Sequence, residues 1–473
     1  MRVVLPIVGA AAALAVAVAA VVVGHAFQLF DRSGAWPLTA VGAIALAGFA
    51  VAVTLLFRVR GRAALVLVVV GAAVLGGAAL AGPPHLSTDS ARYAWDGIVQ
   101  DAGVSPYEHV PASSALAGLR PGWLYPAPVD GRCAGQRIMS TREEPGGALL
   151  CTALNRPRVP TIYPPVSEAY FAAVRALVPT TAAYAPLQVG GLLLVGAVGA
   201  LLALLLRRGG RDPRWSALWL WCPFVLDQAV TDSHVDVLGV LFAVAATGVL
   251  AVPVLRRRRA VVGGVLLGLG VATKFIPGLV APPLLRRRPV AVVLAAAGAV
   301  AAVYAPYLLA SGPKVIGYLP GYFSEEGYES GSRSALLSLV LPGSWSTVGA
   351  AVLVAVVAAF AVWRADPERP WGVQAAVVGA TLLIVTPAYP WYALLLVPFA
   401  AMAGRPEWLV VTVAMTVRQL HPGLATSRAA FGAAVIVLLV ALAVRHRAEI
   451  PAVVSRLRLP FGARAPLPER TSR

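Results

Sequence analysis

The chain has 473 residues, of which 59% are hydrophobic and 13% are charged. A soluble domain carries roughly 25% charged residues, so this composition excludes a water-soluble globular enzyme, a disordered chain and a coiled coil. The formal net charge of +18 would suit nucleic-acid binding, but its distribution along the chain favours another explanation.

Apolar stretches of membrane length recur along the chain, and each bilayer-spanning helix needs about 20 apolar residues. They predict an all-α polytopic membrane protein with about twelve transmembrane helices, the first of which is retained because no small-residue cleavage site follows it. The predicted spans are Val3–Gly24, Pro37–Phe57, Ala63–Gly82, Leu187–Leu206, Trp215–Val230, Val235–Leu255, Pro289–Ala310, Thr347–Trp363, Trp371–Pro387, Trp391–Gly404, Trp408–Leu420 and Ala429–Val444.

Arginine clusters between these stretches set the predicted orientation in the cell membrane, because cytoplasmic loops are enriched in Lys and Arg. Alternating crossings place the clusters at 58–62, 207–214, 256–259 and 286–288, and the basic tail 445–473, in the cytoplasm with both termini. The positive charge is therefore mainly a topology signal, and the sequence predicts no nucleic-acid partner.

One apolar segment, Ala260–Leu285, breaks the alternation because arginine clusters flank both of its ends. Its centre, Lys274–Gly278, contains Pro277, where a helix would break. We expect two half-helices in a re-entrant hairpin, since broken backbone at membrane depth must be buried in protein or line a cavity. A kinked single span that is an exception to the charge rule is the alternative.

The spans divide the chain into membrane segments and two long extracytoplasmic loops. Cys133 and Cys151 both lie in the first loop, where an oxidising compartment favours a disulfide between them. The predicted organisation is three transmembrane helices in 1–82, a loop with the catalytic motif in 83–186, transmembrane helices with the hairpin 260–285 in 187–310, a second loop in 311–346, further transmembrane helices in 347–444 and the cytoplasmic tail 445–473.

Charged and aromatic residues cluster where the third span leaves the membrane. Asp89, Arg92, Tyr93 and Asp96 have helical spacing and would share one face of a helix. Such a face at the bilayer surface suits a hydroxylated substrate, and an interfacial helix with an Asp–Arg pair is the alternative.

The stretch from Asp89 to Tyr107, which ends in a G-x-x-P-Y pattern, resembles the first outer loop of bacterial GT-C glycosyltransferases. The likeness extends to actinobacterial mannosyltransferases of the glycosyltransferase 87 type. The family often has two adjacent acids where this chain has Thr88-Asp89, so only Asp89 corresponds. Four further segments resemble family motifs in order: Thr161–Pro165 (Y-P-P), Asp232–Leu238 (H-x-D-x-L), Gly268–Pro277 (G-L-x-x-x-T-K-x-x-P) and Thr386–Tyr392 (a late aromatic turn).

The resemblance implies a membrane glycosyltransferase that moves a hexose, in the first place mannose, from a polyprenyl-phosphate donor. The acceptor would be a cell-envelope glycolipid or glycan on the extracytoplasmic face, and the reaction would invert the anomeric carbon without a cofactor or an essential metal. An arabinosyl or glucosyl donor is an alternative within this class. A lipid or sugar transporter or flippase, and a non-catalytic partner of an envelope synthase, are alternatives from other classes.

The candidate site residues follow from this chemistry and from the motifs. An acceptor hydroxyl needs a carboxylate to take its proton, and Asp89 matches the family's loop acid, so we expect it to be the base. Lys274 is the only Lys within an apolar segment, and charges at membrane depth are usually functional. A purely structural role for Lys274 is the alternative. The expected substrate- and phosphate-binding residues are Arg92, Tyr93, Asp96, Tyr163, His234, Asp236, Lys274, Arg333, Arg418 and His421.

Overall fold

The computed structural model describes residues 4–29, 33–135, 137–325 and 333–457. Within these ranges the chain is mostly helical. Two predicted segments lie partly outside the described residues, namely the second outer loop at 326–332 and the basic tail after 457.

Helices account for nearly all of the regular structure in the described chain. Those of the first half are α1 (Val4–Gly24), α2 (Ala35–Leu56), α3 (Arg62–Leu80), α4 (Asp89–Asp101), α5 (Pro165–Arg175), α6 (Ala185–Arg208), α7 (Ala217–Leu220), α8 (Pro223–Leu226) and α9 (Asp236–Leu250). Those of the second half are α10 (Arg257–Thr273), α11 (Ala281–Leu284), α12 (Pro289–Ser311), α13 (Leu319–Glu325), α14 (Trp345–Arg364), α15 (Trp371–Val385), α16 (Leu396–Ala403), α17 (Leu409–Leu420) and α18 (Leu424–Leu457).

Seven of the described helices are long and apolar enough to cross a membrane, or up to eight if one bent pair counts as a span. They are α1, α2, α3, α6, α12, α14 and the first part of α18. The predicted polytopic helical architecture is therefore confirmed. The number of about twelve spans is not shown, because several predicted spans form shorter or broken helices.

The bent pair consists of the segment Pro223–Thr231 and helix α9, which meet at 118°. The first segment begins at a proline and ends in a π-helical turn over Asp227–Thr231. Ser233, in the break, has a left-handed backbone with φ of 50°. The sequence predicts two separate spans here, Trp215–Val230 and Val235–Leu255, because apolar length alone does not show where the helix breaks.

The chain also breaks at Lys274, within the predicted hairpin 260–285. Helix α10 ends at Thr273, Lys274 is extended, and a 3₁₀ turn over Ile276–Val280 leads to α11. The chain then returns to the beginning of α10. Two 2.8 Å hydrogen bonds show this: Arg287 donates to the Val252 carbonyl and Arg288 donates to the Leu255 carbonyl. Both arginine clusters that flank the segment therefore lie at the same end of α10.

Helix α10 is held close to α12 by two glycines, one turn apart. A Cβ atom on Gly264 or Gly268 would lie 2.4 Å from the backbone oxygen of Val292 or Ala296. Small residues of this kind let two helix backbones approach, which is the usual packing in membrane proteins. The contact fixes the position of Lys274 at the end of α10.

The segment 83–186, which the sequence predicts to be the first outer loop, has structure of its own. It contains α4, α5 and a two-stranded antiparallel sheet of β1 (Met139–Arg142) and β2 (Leu149–Thr152), with Met139 opposite Thr152. The expectation of an all-α fold is wrong for this segment, because the backbones of β1 and β2 pair with each other as a short β-hairpin. Cys133 and Cys151 form a disulfide that ties β2 to the chain before β1.

Aromatic packing fixes α4 against α5. The ring of Tyr93 stacks on Phe171 at 4.5 Å and meets Tyr163 edge-on at 5.0 Å. A Cβ on Gly97 would lie 2.6 Å from the backbone oxygen of Phe171, so the two helices touch at their backbones. This packing positions Asp89, the first residue of α4.

Candidate active site

A cavity of about 810 Å³ lies between the segment 83–186 and the ends of several helices. Asp89 is the one carboxylate among the described residues that line it. Five cationic side chains also line the cavity: Arg92, Arg156, Lys274, Arg333 and Arg418. An anionic substrate therefore fits this cavity better than a cationic one.

Asp89 begins α4, where the unpaired backbone N–H groups of a helix favour a carboxylate. The Ser87 hydroxyl accepts a 3.1 Å hydrogen bond from the Asp89 backbone N–H. The Asn155 amide donates to Asp89 Oδ1 at 2.9 Å, and Asp89 Oδ2 lies 4.0 Å from His234 Nε2. The side chain is 15% exposed, so the carboxylate is oriented by the protein and still accessible from the cavity.

His234 follows the strained backbone at Ser233 and is fully buried. Its Nδ1 lies 2.9 Å from the carbonyl oxygen of Gln228, and because a carbonyl can only accept, Nδ1 carries the hydrogen. This leaves Nε2 turned toward Asp89. The imidazole also stacks on Trp391 with ring centroids 4.0 Å apart, so its orientation is fixed on two sides.

Lys274 and Asp236 form an ion pair at the wall of the cavity, with Nζ and Oδ2 2.6 Å apart. Asp236 begins α9 and is 2% exposed, whereas Lys274 directly follows α10 and is 16% exposed. The Lys274 ammonium also lies 5.2–6.0 Å from the ring centres of Tyr163, Trp391 and Tyr392. The pair joins the bent segment to the helix break and holds a positive charge among aromatic rings.

Arg92 is held by the buried carboxylate of Asp96, behind the cavity. Its Nε donates to both oxygens of Asp96 at 2.9 and 3.0 Å, and its Nη1 donates to the Val159 carbonyl. Its Nη2 has no hydrogen-bond partner among the described residues. Nη2 is itself buried, and Arg92 contributes a positive charge to the wall of the cavity that it lines.

Glu168, on α5, lies next to Asp96. Thr161 donates to its carboxyl at 2.7 Å and Gln100 at 2.9 Å. Burial raises the pKa of Asp96, and burial together with the Asp96 charge raises the pKa of Glu168 well above its usual range. Arg92 donates directly to Asp96 and so favours the ionised form of that member of the pair.

Arg333 and Arg418 approach the cavity from another side. Arg418 Nη1 donates to the carbonyl of Thr386, whose hydroxyl in turn donates to the Arg333 carbonyl and accepts from the Ala335 N–H. Thr386 has a left-handed backbone with φ of 41° at the end of α15. A strained threonine thus ties both arginine-bearing segments together beside the substrate space.

The structure distributes the predicted site residues in three groups. Asp89, Arg92, Tyr163, Lys274, Arg333 and Arg418 line the cavity. Tyr93, Asp96, His234 and Asp236 lie directly behind it and contact lining residues. His421 lies outside it, with its Nε2 2.8 Å from the Thr39 hydroxyl and its ring on Trp36.

Sequence reasoning missed several residues of the site, among them Asn155, Arg156 and Glu168. Asn155 and Arg156 lie in an irregular loop, and their approach to Asp89 is non-local. Glu168 is near the start of α5, where an acid is an ordinary helix-terminus residue. Trp391 carried a signal, since it belongs to the aromatic turn Thr386–Tyr392 that resembles a family motif.

Taken with the membrane-length helices, this site defines a polytopic membrane protein whose cation-rich cavity has one carboxylate in its described lining. Residues 161–387, just under half of the chain, match the model of Glycosyltransferase family 87. Residues 161–387 therefore form a glycosyltransferase family 87 domain, the type found in membrane glycosyltransferases of the GT-C class. Comparison with curated proteins and with solved structures finds no match.

The matched range contains part of the cavity wall, including Tyr163, Lys274 and Arg333. Asp89 and Arg92 precede it, and Arg418 follows it. The cavity is thus built from the matched domain together with helices on either side of it.

Proposed function

We propose that the chain transfers a hexose, in the first place mannose, from a polyprenyl-phosphate donor to a cell-envelope glycolipid or glycan. The observation that carries this proposal is the combination of one carboxylate, Asp89, with five cations in a single cavity. The cavity wall also includes apolar residues such as Leu279, Leu382 and Leu424. A lipid-phosphate sugar needs cations for its phosphate and apolar surface for its chain, and both occur together here.

The proposed reaction is a single displacement with inversion. Asp89 takes the proton from the acceptor hydroxyl while that oxygen attacks the anomeric carbon. The bond from the anomeric carbon to the phosphate oxygen breaks on the opposite face, and its electron pair leaves with the phosphate. The reaction ends with a new glycosidic bond, a protonated Asp89 and a free lipid phosphate.

The leaving phosphate gains negative charge, which fixed cations stabilise more in the transition state than in the ground state. The positive charges of Arg92 and Lys274 are suited to this role, since both side chains line the cavity. Asn155 and His234 border Asp89 and orient its carboxylate toward the acceptor. The aromatic rings beside Lys274 provide a surface on which a sugar ring can stack.

We propose that the active site faces the extracytoplasmic side. Arg214 donates to the Val59 carbonyl at 2.7 Å, and Arg287 donates to the Val252 carbonyl, so successive basic segments contact one another at one end of the molecule. Asp89 comes shortly after the other end of α3, and Lys274 directly follows the other end of α10. The positive-inside rule then assigns the basic end, with both termini, to the cytoplasm and the segments 83–186 and 311–346 to the outside.

The proposed organisation keeps about twelve crossings. Besides the seven long apolar helices, the short apolar helix α15 has cavity residues at one end and basic-loop residues at the other. The same holds for the segment Pro390–Ala403. Tight packing against neighbouring helices would let such short elements span a locally thinner layer.

A sugar-transfer assay on purified protein tests the proposal. The donors are polyprenyl-phosphate mannose, glucose and arabinose, and the acceptors are envelope glycolipid extracts. We expect transfer from the mannose donor that is abolished in Asp89→Asn. Transfer only from glucose or arabinose would overturn the assignment of the sugar. Movement of the lipid or sugar across a vesicle membrane without any new glycosidic bond would instead identify a transporter or flippase.

A further inference from the structure

A second cavity, of about 1360 Å³, lies at the opposite end of the helices that form the candidate active site. Four parts of the chain surround it: the end of α6, the connection from α9 to α10, the beginning of α15 and the end of α16. Six arginines from these parts line it, namely Arg208, Arg211, Arg258, Arg259, Arg369 and Arg405.

The protein does not neutralise this positive charge within its described residues. None of the six arginines forms an ion pair with a described carboxylate, and the one acid in the described lining, Glu368, lies 3.4 Å from Arg287. Arg211 donates to the carbonyl of Met402 and lies beside Arg369. Burial, together with the nearby Arg369 charge, lowers the pKa of Arg211, as expected where cations converge without a counter-ion.

Arginines that serve only as a topology signal need no common target, because each can extend separately into water or toward lipid headgroups. Here they converge on one cavity from four separate parts of the chain. A guanidinium binds a phosphate through two parallel hydrogen bonds, so a ring of arginines is a suitable site for a phosphate-type anion.

The surroundings of the cavity indicate where that anion comes from. Val252, Pro253 and Val262 line it together with the arginines, and Trp371 adds an aromatic ring. Val262 is 44% exposed, and Val254, which follows Pro253 in the chain, is 71% exposed. A charged cavity with exposed apolar residues at its edge suits a phosphate headgroup attached to acyl chains better than a soluble anion.

We propose that this cavity binds the phosphodiester headgroup of an anionic phospholipid at the cytoplasmic surface. The guanidinium groups hold the phosphate, and the acyl chains lie along the exposed valines near the beginning of α10. The bound headgroup joins four segments that would otherwise repel one another through their positive charges. Helix α10 continues from Arg258 to the Lys274 break, about 24 Å away at 1.5 Å per residue, so the lipid braces the helix that carries an active-site cation.

Thermal unfolding of the purified, delipidated full-length chain in a neutral detergent tests the proposal. The added probes are phosphatidylglycerol, cardiolipin and phosphatidylcholine, and separately inorganic phosphate and pyrophosphate. We expect a saturable rise in the midpoint with the two anionic lipids and none with phosphatidylcholine. A rise with phosphate or pyrophosphate but not with the lipids would overturn the lipid assignment.

The run 256–259 supplies a matched control for the variants. Arg258→Gln with Arg259→Gln removes two cavity arginines, whereas Arg256→Gln with Arg257→Gln removes the same charge from residues that do not line the cavity. We expect the first variant to weaken lipid binding at least tenfold and the second to retain it. A second pair, Arg208→Gln against Arg207→Gln, gives the same comparison at the end of α6 if the double variants do not fold. Equal losses in the matched variants would show diffuse attraction to a basic surface and would refute the site.

Discussion

At the scale of single residues, the environment of Asp89 separates it from the other acids near the cavity. Asp96 and Asp236 are each paired with a cation and 2% exposed. Asp89 is 15% exposed, and its carboxylate accepts an amide hydrogen bond from Asn155. A carboxylate that must take a proton from substrate has to remain accessible. This difference selects Asp89 as the base among the three.

The corresponding prediction is that Asp89→Asn abolishes transfer while the protein still binds donor. Asparagine keeps the size of the side chain but cannot accept the proton, and general-base catalysis contributes typically about 10²–10⁴-fold to rate. We expect kcat to fall by that factor and KM to change less. Asp101→Asn, at the exposed end of the same helix, is the control and should retain activity. Turnover above about a tenth of the wild-type value in Asp89→Asn would exclude Asp89 as the base.

Lys274 combines a structural and a chemical role, because its ammonium neutralises Asp236 and also lines the cavity. Lys274→Met alone leaves the Asp236 carboxylate buried without its cation, which typically costs about 3–5 kcal/mol. We therefore expect this variant to lose both thermal stability and transfer. Loss of activity alone would not distinguish the two roles.

The double variant Lys274→Met with Asp236→Asn separates these roles. It removes both charges, so thermal stability should return toward the wild-type value, whereas donor turnover should not. Thermal unfolding and the transfer assay on the same preparations measure the two effects. If activity returns together with stability, the ion pair is structural and Lys274 does not act on the donor phosphate.

At the scale of elements, the contact between α4 and α5 includes two buried acids, Asp96 and Glu168, and burial raises the pKa of each. Glu168 on α5 has a raised pKa, because it is buried and lies beside the charge of Asp96 on α4. An acid with a raised folded-state pKa binds more protons folded than unfolded, so its contribution to stability falls as pH rises. The decline begins near the unfolded glutamate pKa of about 4.3 and continues through the folded-state value.

We accordingly predict that Glu168→Gln makes the stability of the protein less dependent on pH. The amide resembles the protonated acid, since its NH₂ can donate toward Asp96 and its oxygen can accept from Gln100. Thermal midpoints measured from pH 6 to pH 9 should fall less in the variant than in the wild type. Glu144→Gln, which removes a partly exposed carboxylate paired with Arg158, is the control. Parallel curves for wild type and Glu168→Gln would contradict a protonated Glu168.

At the scale of the whole molecule, local sequence signals gave the class of protein and part of the site. The break after Thr273 was predictable, because Pro277 disfavours a continuous helix and arginine clusters at both ends of the segment disfavour a single crossing. The bend between Pro223–Thr231 and α9 was not, since apolar length there fits two ordinary spans. The approach of Asn155 to Asp89 could not be predicted from the sequence, because the two residues are 66 positions apart and meet only through the tertiary fold.

The final prediction concerns the orientation of the whole molecule in the membrane. Gly118 is exposed in the segment 83–186, and a Cβ atom there meets no atom within 4 Å, so Gly118→Cys should not disturb the fold. Arg60→Cys, in an exposed basic loop, is the matching variant for the side of the membrane that we expect to be cytoplasmic. The native background is low, since Cys222 is buried and Cys133 is bonded to Cys151.

An impermeant maleimide added to intact cells that lack an outer-membrane barrier should label Gly118→Cys but not Arg60→Cys. Both cysteines should react after lysis, which confirms that each is accessible once the membrane is open. The physical reason is the enrichment of arginine at the end of the molecule that contains Arg60, which the positive-inside rule assigns to the cytoplasm. The reverse labelling pattern would invert the topology and place the Asp89 cavity, and with it the lipid-phosphate donor, on the cytoplasmic face.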